Sequence, residues 1–224
     1  MEGLPYDVVL WDWNGTLLDD GEYGISIINS MLERRGMRVP SREEHGRLFD
    51  FPVSLYYERL GFDYAKEPFE DVSHQFVAEY LAGVTRCALR PGVAAVLGAL
   101  RAAGYRQLVL SASRQDLLER YITHYGLRHY FEDLLGIDSV HAPGKAGRGC
   151  EWIRGAGVDP ARVLLIGDTV HDAEVAGHMG IACWLLEGGH HPRARLLPTG
   201  CPCLPCLDEV KARLVQGVGP TTIN

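Results

Sequence analysis

The sequence predicts an α/β protein, a doubly wound Rossmann-like parallel sheet core with an inserted α-helical cap. Three observations predict it. Short, uninterrupted apolar runs recur along the chain. Helical periodicity fills the stretches between them, and one long stretch after the first run has helical spacing but no strand-like run. The 224 residues are 46% hydrophobic and 23% charged, a mix that can bury a sizeable core.

Taken in order, the candidate strands are "YDVVLW" (6–11), "RQLVL" (106–110), "RVLLIG" (162–167) and "IACWLL" (181–186). Each is continuous rather than alternating, the pattern of strands covered by helices on both faces. Val93, Val96, Leu97 and Leu100 fall at helical spacing after Pro91, a residue suited to a helix start. Leu118, Tyr121, Ile122 and Tyr125 form a second such face, and "GCEWIRGAGV" contains a short helix. Within residues 20–86, Ile25, Ile28 and Leu32, then Val72, Phe76 and Tyr80, mark further helices. The expected organisation is a core of residues 1–19 and 87–224 with a helical cap of residues 20–86.

The formal net charge of -7 disfavours nucleic acid or an anionic membrane as a generic partner. The opening "MEGLPYDVVLWDW" has no basic segment before its apolar run, which is too short to span a bilayer. A cytoplasmic protein without a membrane partner is therefore expected. Among the cysteines, only Cys201, Cys203 and Cys206 cluster, in "CPCLPC". Local spacing offers no fourth ligand for zinc, so packed or loop thiols are expected there.

Ligands of open α/β sheets bind beyond the carboxyl ends of the strands. The first run ends at Asp12, the second at Ser111 and the third at Gly167-Asp168, with Asp172 four residues further on. Each of these polar residues alone also suits a helix cap or turn. Together, and in this order, the chain resembles the haloacid dehalogenase-like hydrolase superfamily. The resemblance rests on "DWNGT" (Asp12 to Thr16), Ser111 in "LVLSAS", Lys145 in "APGKAG" and "GDTVHD" (Gly167 to Asp172). The stretch between the first and second motifs looks like the helical cap of the phosphoglycolate-phosphatase-like branch.

The resemblance implies a phosphatase for a small phosphorylated metabolite. Asp12 would be the nucleophile and form an aspartyl-phosphate. Mg²⁺ would relieve the repulsion between that carboxylate and the phosphate. Asp12, Asp168 and the backbone carbonyl of Asn14 would hold the ion, with Asp172 supporting its water shell or ligating it directly. Gly15, Thr16, Ser111 and backbone N–H groups such as that of Ala112 would cradle the phosphoryl oxygens. Lys145 would add positive charge; the chain's other lysines are Lys66 and Lys211 alone. In the cap, Arg47 and Arg59 are candidates to meet a second anionic group of the substrate.

Asn14 departs from the family pattern, which has an Asp there to protonate the leaving oxygen and activate water. An amide cannot do general acid–base work near neutral pH. Three outcomes follow: slow turnover, leaving groups that need little protonation or another acid such as His171, or phosphate binding without useful turnover. A phosphotransferase or phosphomutase is a further reading. The dehalogenase branch would leave a Mg²⁺ site unexplained, and "PGKAGRG" lacks P-loop spacing. His190 and His191 in "HHP" read as a polar surface loop. A monomer or a homodimer is equally compatible with the sequence.

Overall fold

The computed structural model describes residues 5–137 and 144–216. In chain order its main elements begin with β1 (Val8–Trp11), β2 (Leu18–Asp19) and helices α1 (Gly21–Arg34), α2 (Arg42–Leu48), α3 (Val53–Leu60) and α4 (Phe69–Leu81). Then come β3 (Ala88–Leu89), α5 (Val93–Ala102), β4 (Arg106–Arg114), α6 (Gln115–His124), β5 (Asp133–Ile137) and α7 (Gly144–Ala156). The chain continues with β6 (Val163–Gly167), α8 (Val170–Met179), β7 (Ala182–Leu186), α9 (Arg193–Leu196), β8 (Cys203–Leu204) and α10 (Leu207–Val215).

Six strands form one sheet in the order β5-β4-β1-β6-β7-β8, with every pairing parallel. The chain runs outward from β1 through β4 to β5, then returns to the other side of β1. The order therefore reverses at β1, which opens a crevice at its carboxyl end. Strand alternation explains why β1 is apolar throughout. Val9 and Trp11 enter one core with Val96, Leu100, Ile122 and Val210, whereas Val8 and Leu10 enter the other with Ile153, Val175 and Met179. A third cluster, with Ile28, Met31, Leu32, Tyr56, Tyr57 and Val72, holds α1, α3 and α4 together.

Strands β2, β3 and β5 carry no clear sequence signal. The "DLLGI" run of β5 is short and broken by Gly136, where a Cβ would lie 2.7 Å from Gln115 Cα. The β2–β3 pair is antiparallel, with Leu18 opposite Leu89, and brackets the four helices α1–α4. β4 is longer than the expected run: its register shifts between Leu110 and Arg114, so Ser111 sits in an irregular stretch inside the strand. α7 is also longer than expected and takes in Lys145; the first two residues of "APGKAG" lie outside the described residues. Among the described residues, no helix is long and apolar enough to cross a membrane.

Candidate active site

Asp12 directly follows β1, and its N–H still donates to Ile166 O at 2.9 Å, so the ladder fixes its backbone. The next turn bends back over the strand ends. Gly15 holds φ at +75°, and a Cβ there would sit 2.2 Å from His190 Nδ1 and 2.3 Å from Asp168 Oδ2. Only glycine meets both demands. The Thr16 hydroxyl lies between two carboxylates, 2.9 Å from Asp168 Oδ1 and 3.2 Å from Asp12 Oδ2.

Asp168 follows β6 and is fully buried. Asp172 sits at the third position of α8, in a capping box with Thr169. Its Oδ2 accepts from Thr169 Oγ1 at 2.7 Å and from Thr169 N at 3.0 Å. Its Oδ1 faces Lys145 Nζ at 2.6 Å, and the same ammonium reaches Asp12 Oδ1 at 2.5 Å. Burial pushes Asp12 up to about 7, against the pull of Lys145. Burial also opposes ionisation of Asp172, but Lys145 and Thr169 outweigh it and hold that carboxyl below its ordinary value. For Lys145, burial is outweighed by Asp12 and Asp172, so its pKa stands above that of an ordinary lysine.

Asp12, Asp168 and Asp172 each offer an oxygen within 4.8 Å of the others, and all three residues are buried. Three hard, anionic oxygen donors against one ammonium suit a small divalent cation. All three carboxylates are hydrogen-bonded on both oxygens, Asp12 by Lys145 and Thr16, Asp168 by Thr16 and His190, and Asp172 by Lys145 and Thr169.

Asn14 lies beside this cluster. Its Nδ2 donates to Asp20 Oδ2 and Tyr80 Oη, both at 2.7 Å, while Ser113 Oγ donates to its Oδ1 at 3.2 Å. Tyr80 in turn donates to Asp20 Oδ2 at 2.6 Å, and Gly15 N–H donates to Asp20 Oδ1 at 2.9 Å. Burial and then Asp20 raise the Tyr80 pKa far above the ordinary tyrosine value. Ser111 is buried, its Oγ accepting from Ser113 N at 3.0 Å.

These groups open into a cavity of about 350 Å³. Its core side carries Asp12, Asn14, Ser111, Ala112, Lys145 and Asp172, together with His171, which stacks on Phe51. Its cap side is formed mainly by apolar and aromatic side chains of α1–α4. Arg47 and Arg59 do not reach it. Arg47 is exposed and pairs with Glu43 on its own helix, while Arg59 donates to Asp50 and to Leu48 O, both at 3.0 Å. Arg42 lines the cavity instead, and is paired with Glu22.

His190 is a correction to the surface-loop expectation. Its backbone N–H donates to Asp168 Oδ2 at 2.7 Å, and its Nδ1 lies 2.9 Å from the same oxygen. Burial disfavours the imidazolium, but Asp168 outweighs it and lifts the pKa to about 9. The available signal was "GGH": a Cβ on Gly189 would fall 2.2 Å from Asp168 Oδ2, so the loop needs glycine to approach the carboxylate. His191 accepts from Val170 N at 3.0 Å, at the start of α8. Asp20, Tyr80 and Ser113 were also missed, since each becomes a neighbour of Asn14 only through the fold. In "CPCLPC", Cys201 and Cys203 pack against the second core face and Cys206 is exposed.

Comparison with known proteins agrees with this geometry. The family model for haloacid dehalogenase-like hydrolases matches residues 9–186. The tyrosine-protein kinase PtkA of Mycobacterium tuberculosis is 26% identical over 201 residues, covering 84% of this chain but only 64% of that protein's length. A phosphoglycolate phosphatase of Caulobacter vibrioides is 26% identical over 189 residues, covering 81% of this chain and 79% of the relative. The fold is shared with a solved haloacid dehalogenase-like hydrolase from Streptococcus pneumoniae (TM-score 0.78, 21% identity, 93% and 98% of the two chains). With the motif carboxylates gathered at the sheet's switch point and the family model matching most of the chain, the protein belongs to the haloacid dehalogenase-like hydrolases.

Proposed function

We propose that the protein is a Mg²⁺-dependent phosphatase that hydrolyses a small phosphorylated metabolite through an aspartyl-phosphate on Asp12. The observation that carries this reading is the setting of Asp12: a carboxylate at the cavity floor, flanked by Lys145, Thr16 and two further buried aspartates. Phosphatases among the relatives support it.

Asp12 and Asp168 would hold the Mg²⁺, with the Asn14 carbonyl as third ligand. When bound, the ion supplies positive charge that lets an anionic nucleophile approach an anionic ester. Asp12 attacks phosphorus from below. Lys145 balances the charge of Asp12 and keeps that carboxylate aimed. Thr16 fixes the relative position of Asp12 and Asp168, and His190 holds the far oxygen of Asp168. Ser111 and Ala112 line the cavity with Asp12 and would meet the phosphoryl oxygens, whereas the Gly15 N–H is taken by Asp20 and Leu18 O. The cap packs its Phe49 on His190, with ring centroids 5.2 Å apart, and its closure keeps water out.

Asn14 favours a second reading, a phosphate-binding protein with little turnover. Hydrolysis of an aryl phosphate with Mg²⁺, measured for the wild type and Asp12→Asn, tests the first. Turnover that survives Asp12→Asn refutes the mechanism. A single-turnover search for the aspartyl-phosphate separates the two readings, because only the phosphatase forms one.

A further inference from the structure

We propose that the phosphate carried into this cavity is esterified to an uncharged aromatic alcohol, so that the substrate is an aryl phosphate monoester. This rests on the phosphatase reading above and adds the class of leaving group.

The first observation is the cap wall. Ile25, Ile28, Phe49, Val53, Phe76 and Val77 of the cap line the same cavity as Asp12 and Lys145. At about 350 Å³ the cavity falls in the range of small-molecule pockets and extends well past the phosphoryl site. Apolar and aromatic walls favour an apolar, flat group.

The second observation is what a second anion would find. Among the described residues, Lys145 and His190 are held by buried carboxylates, and Arg42 has only an exposed partner. Arg42 holds Glu22 and reaches toward Gly189 O at 3.4 Å, Lys145 holds Asp12 and Asp172, and His190 holds Asp168. His171 leans on Glu174 at 3.5 Å and stacks on Phe51. His45 bonds Tyr56 and Asn29, and burial followed by Arg42 lowers its pKa, which favours the neutral ring. Buried Asp20 also lines the cavity, so a carboxylate or second phosphate would meet repulsion.

The third observation concerns protons. Both N–H bonds of the Asn14 amide are taken, by Asp20 and Tyr80, and Tyr80 spends its own proton on Asp20. No acid at this position serves the departing oxygen. A phenol has a pKa near 10, as in tyrosine, and leaves as the anion. An alkoxide, comparable to hydroxide from water at about 15.7, needs a proton. The apolar wall and the missing acid thus select the same chemistry. Asp12 forms the new O–P bond as the aryl C–O–P link breaks at phosphorus, its electron pair leaving on the phenoxide. Water then cleaves the aspartyl-phosphate. One of its protons stays on the released phosphate, and the other balances the phenoxide through solvent.

The test has two arms, both with the full chain and Mg²⁺. The kinetic arm compares kcat/KM for phenyl phosphate, 2-phenylethyl phosphate and phosphoglycolate. Phenyl phosphate is expected to exceed 2-phenylethyl phosphate by about 10²-fold or more, and Asn14→Asp to narrow that gap by at least about tenfold. Phosphoglycolate turned over as fast as phenyl phosphate, or a gap unchanged by Asn14→Asp, overturns the proposal. The binding arm uses calorimetry with benzylphosphonate and phosphonoacetate, which are not hydrolysed. Benzylphosphonate is expected to bind at least about tenfold more tightly; equal or reversed affinity overturns the apolar assignment. If no ester is hydrolysed and Asp12 is never phosphorylated, the phosphatase reading fails by itself. The aryl-ester substrate then falls with it, and the binding arm alone decides what the cavity accepts.

Discussion

On the core side of the cavity, the charged groups hold one another. Lys145 spans Asp12 and Asp172, Thr16 spans Asp12 and Asp168, and Thr169 caps its helix with Asp172. On the cap side, Ile25, Ile28, Phe49, Val53, Phe76 and Val77 face the same space, among a few paired polar groups such as His45 and Arg42. The core wall is pre-organised by hydrogen bonds, so losing one partner strands a buried charge. The cap wall is shaped by packing, so losing one side chain changes fit before it changes chemistry. The two walls should fail differently, and that difference can be measured.

The largest effect belongs to the nucleophile. Asp12→Asn should lower kcat on an aryl phosphate on the order of 10⁴-fold or more, with little change in KM. A steady-state assay with Mg²⁺ checks it. A loss confined to KM would place the bond-forming atom elsewhere on the core wall.

Next comes Lys145→Met. It leaves Asp12 and Asp172 buried without their shared cation, and breaking such a pair costs about 3–5 kcal/mol. Urea unfolding in the absence of metal measures it. Added Mg²⁺ should recover part of the loss if Asp12 and Asp168 hold the ion. A variant as stable as the wild type would show that Lys145 does not hold the core wall together.

His190 gives a smaller effect with a definite sign. Its folded pKa of about 9 lies above the ordinary value of about 6.5, so its stabilisation is complete below pH 6.5 and disappears as pH rises through 9. The wild type without metal should therefore lose up to about 3 kcal/mol over that window. Thermal melts at matched ionic strength should show the slope, and His190→Asn should flatten it. A slope that persists in the variant would assign the proton to another group.

These cases also show what the sequence made legible. Strand-end residues stand out because a continuous apolar run that stops at a charge is visible in one dimension, as at Trp11-Asp12 and Gly167-Asp168. The helical character of residues 21–81 was legible from the spacing of Ile25, Ile28 and Leu32 in α1 and of Val72, Phe76 and Tyr80 in α4. The spacing does not say which of these side chains pack inward and which line a cavity. Ile28 and Val72 belong to the cap's own core, and Ile28 also lines the cavity together with Ile25, Phe76 and Tyr80. His190 was hidden because its role depends on a loop after β7 folding over Asp168, a contact across 22 residues that no local period encodes. Asp20 was hidden because its contacts with Asn14 and Tyr80 arise only in the fold. β5 and the β2–β3 pair were missed because two to five residues are too few to show a pattern.

The smallest effect is expected from the cap arginines, and it tests the division between the walls most directly. Arg47 is 61% exposed and holds Glu43 one turn away; Arg59 holds Asp50, which Arg195 also reaches at 3.3 Å. Exposed pairs of this kind contribute little, and Arg195 keeps the Asp50 loop attached when Arg59 is shortened. Arg47→Ala should therefore leave kcat/KM for phenyl phosphate within about twofold of the wild type. Arg59→Ala should raise KM slightly more, because it also releases Leu48 O beside Phe49. Measured with phosphoglycolate as well, both variants should show the same small change for either ester. A tenfold rise in KM for phosphoglycolate alone would put a guanidinium on the substrate's second anion, and the cap wall would then be a recognition surface for charge rather than for an aromatic group.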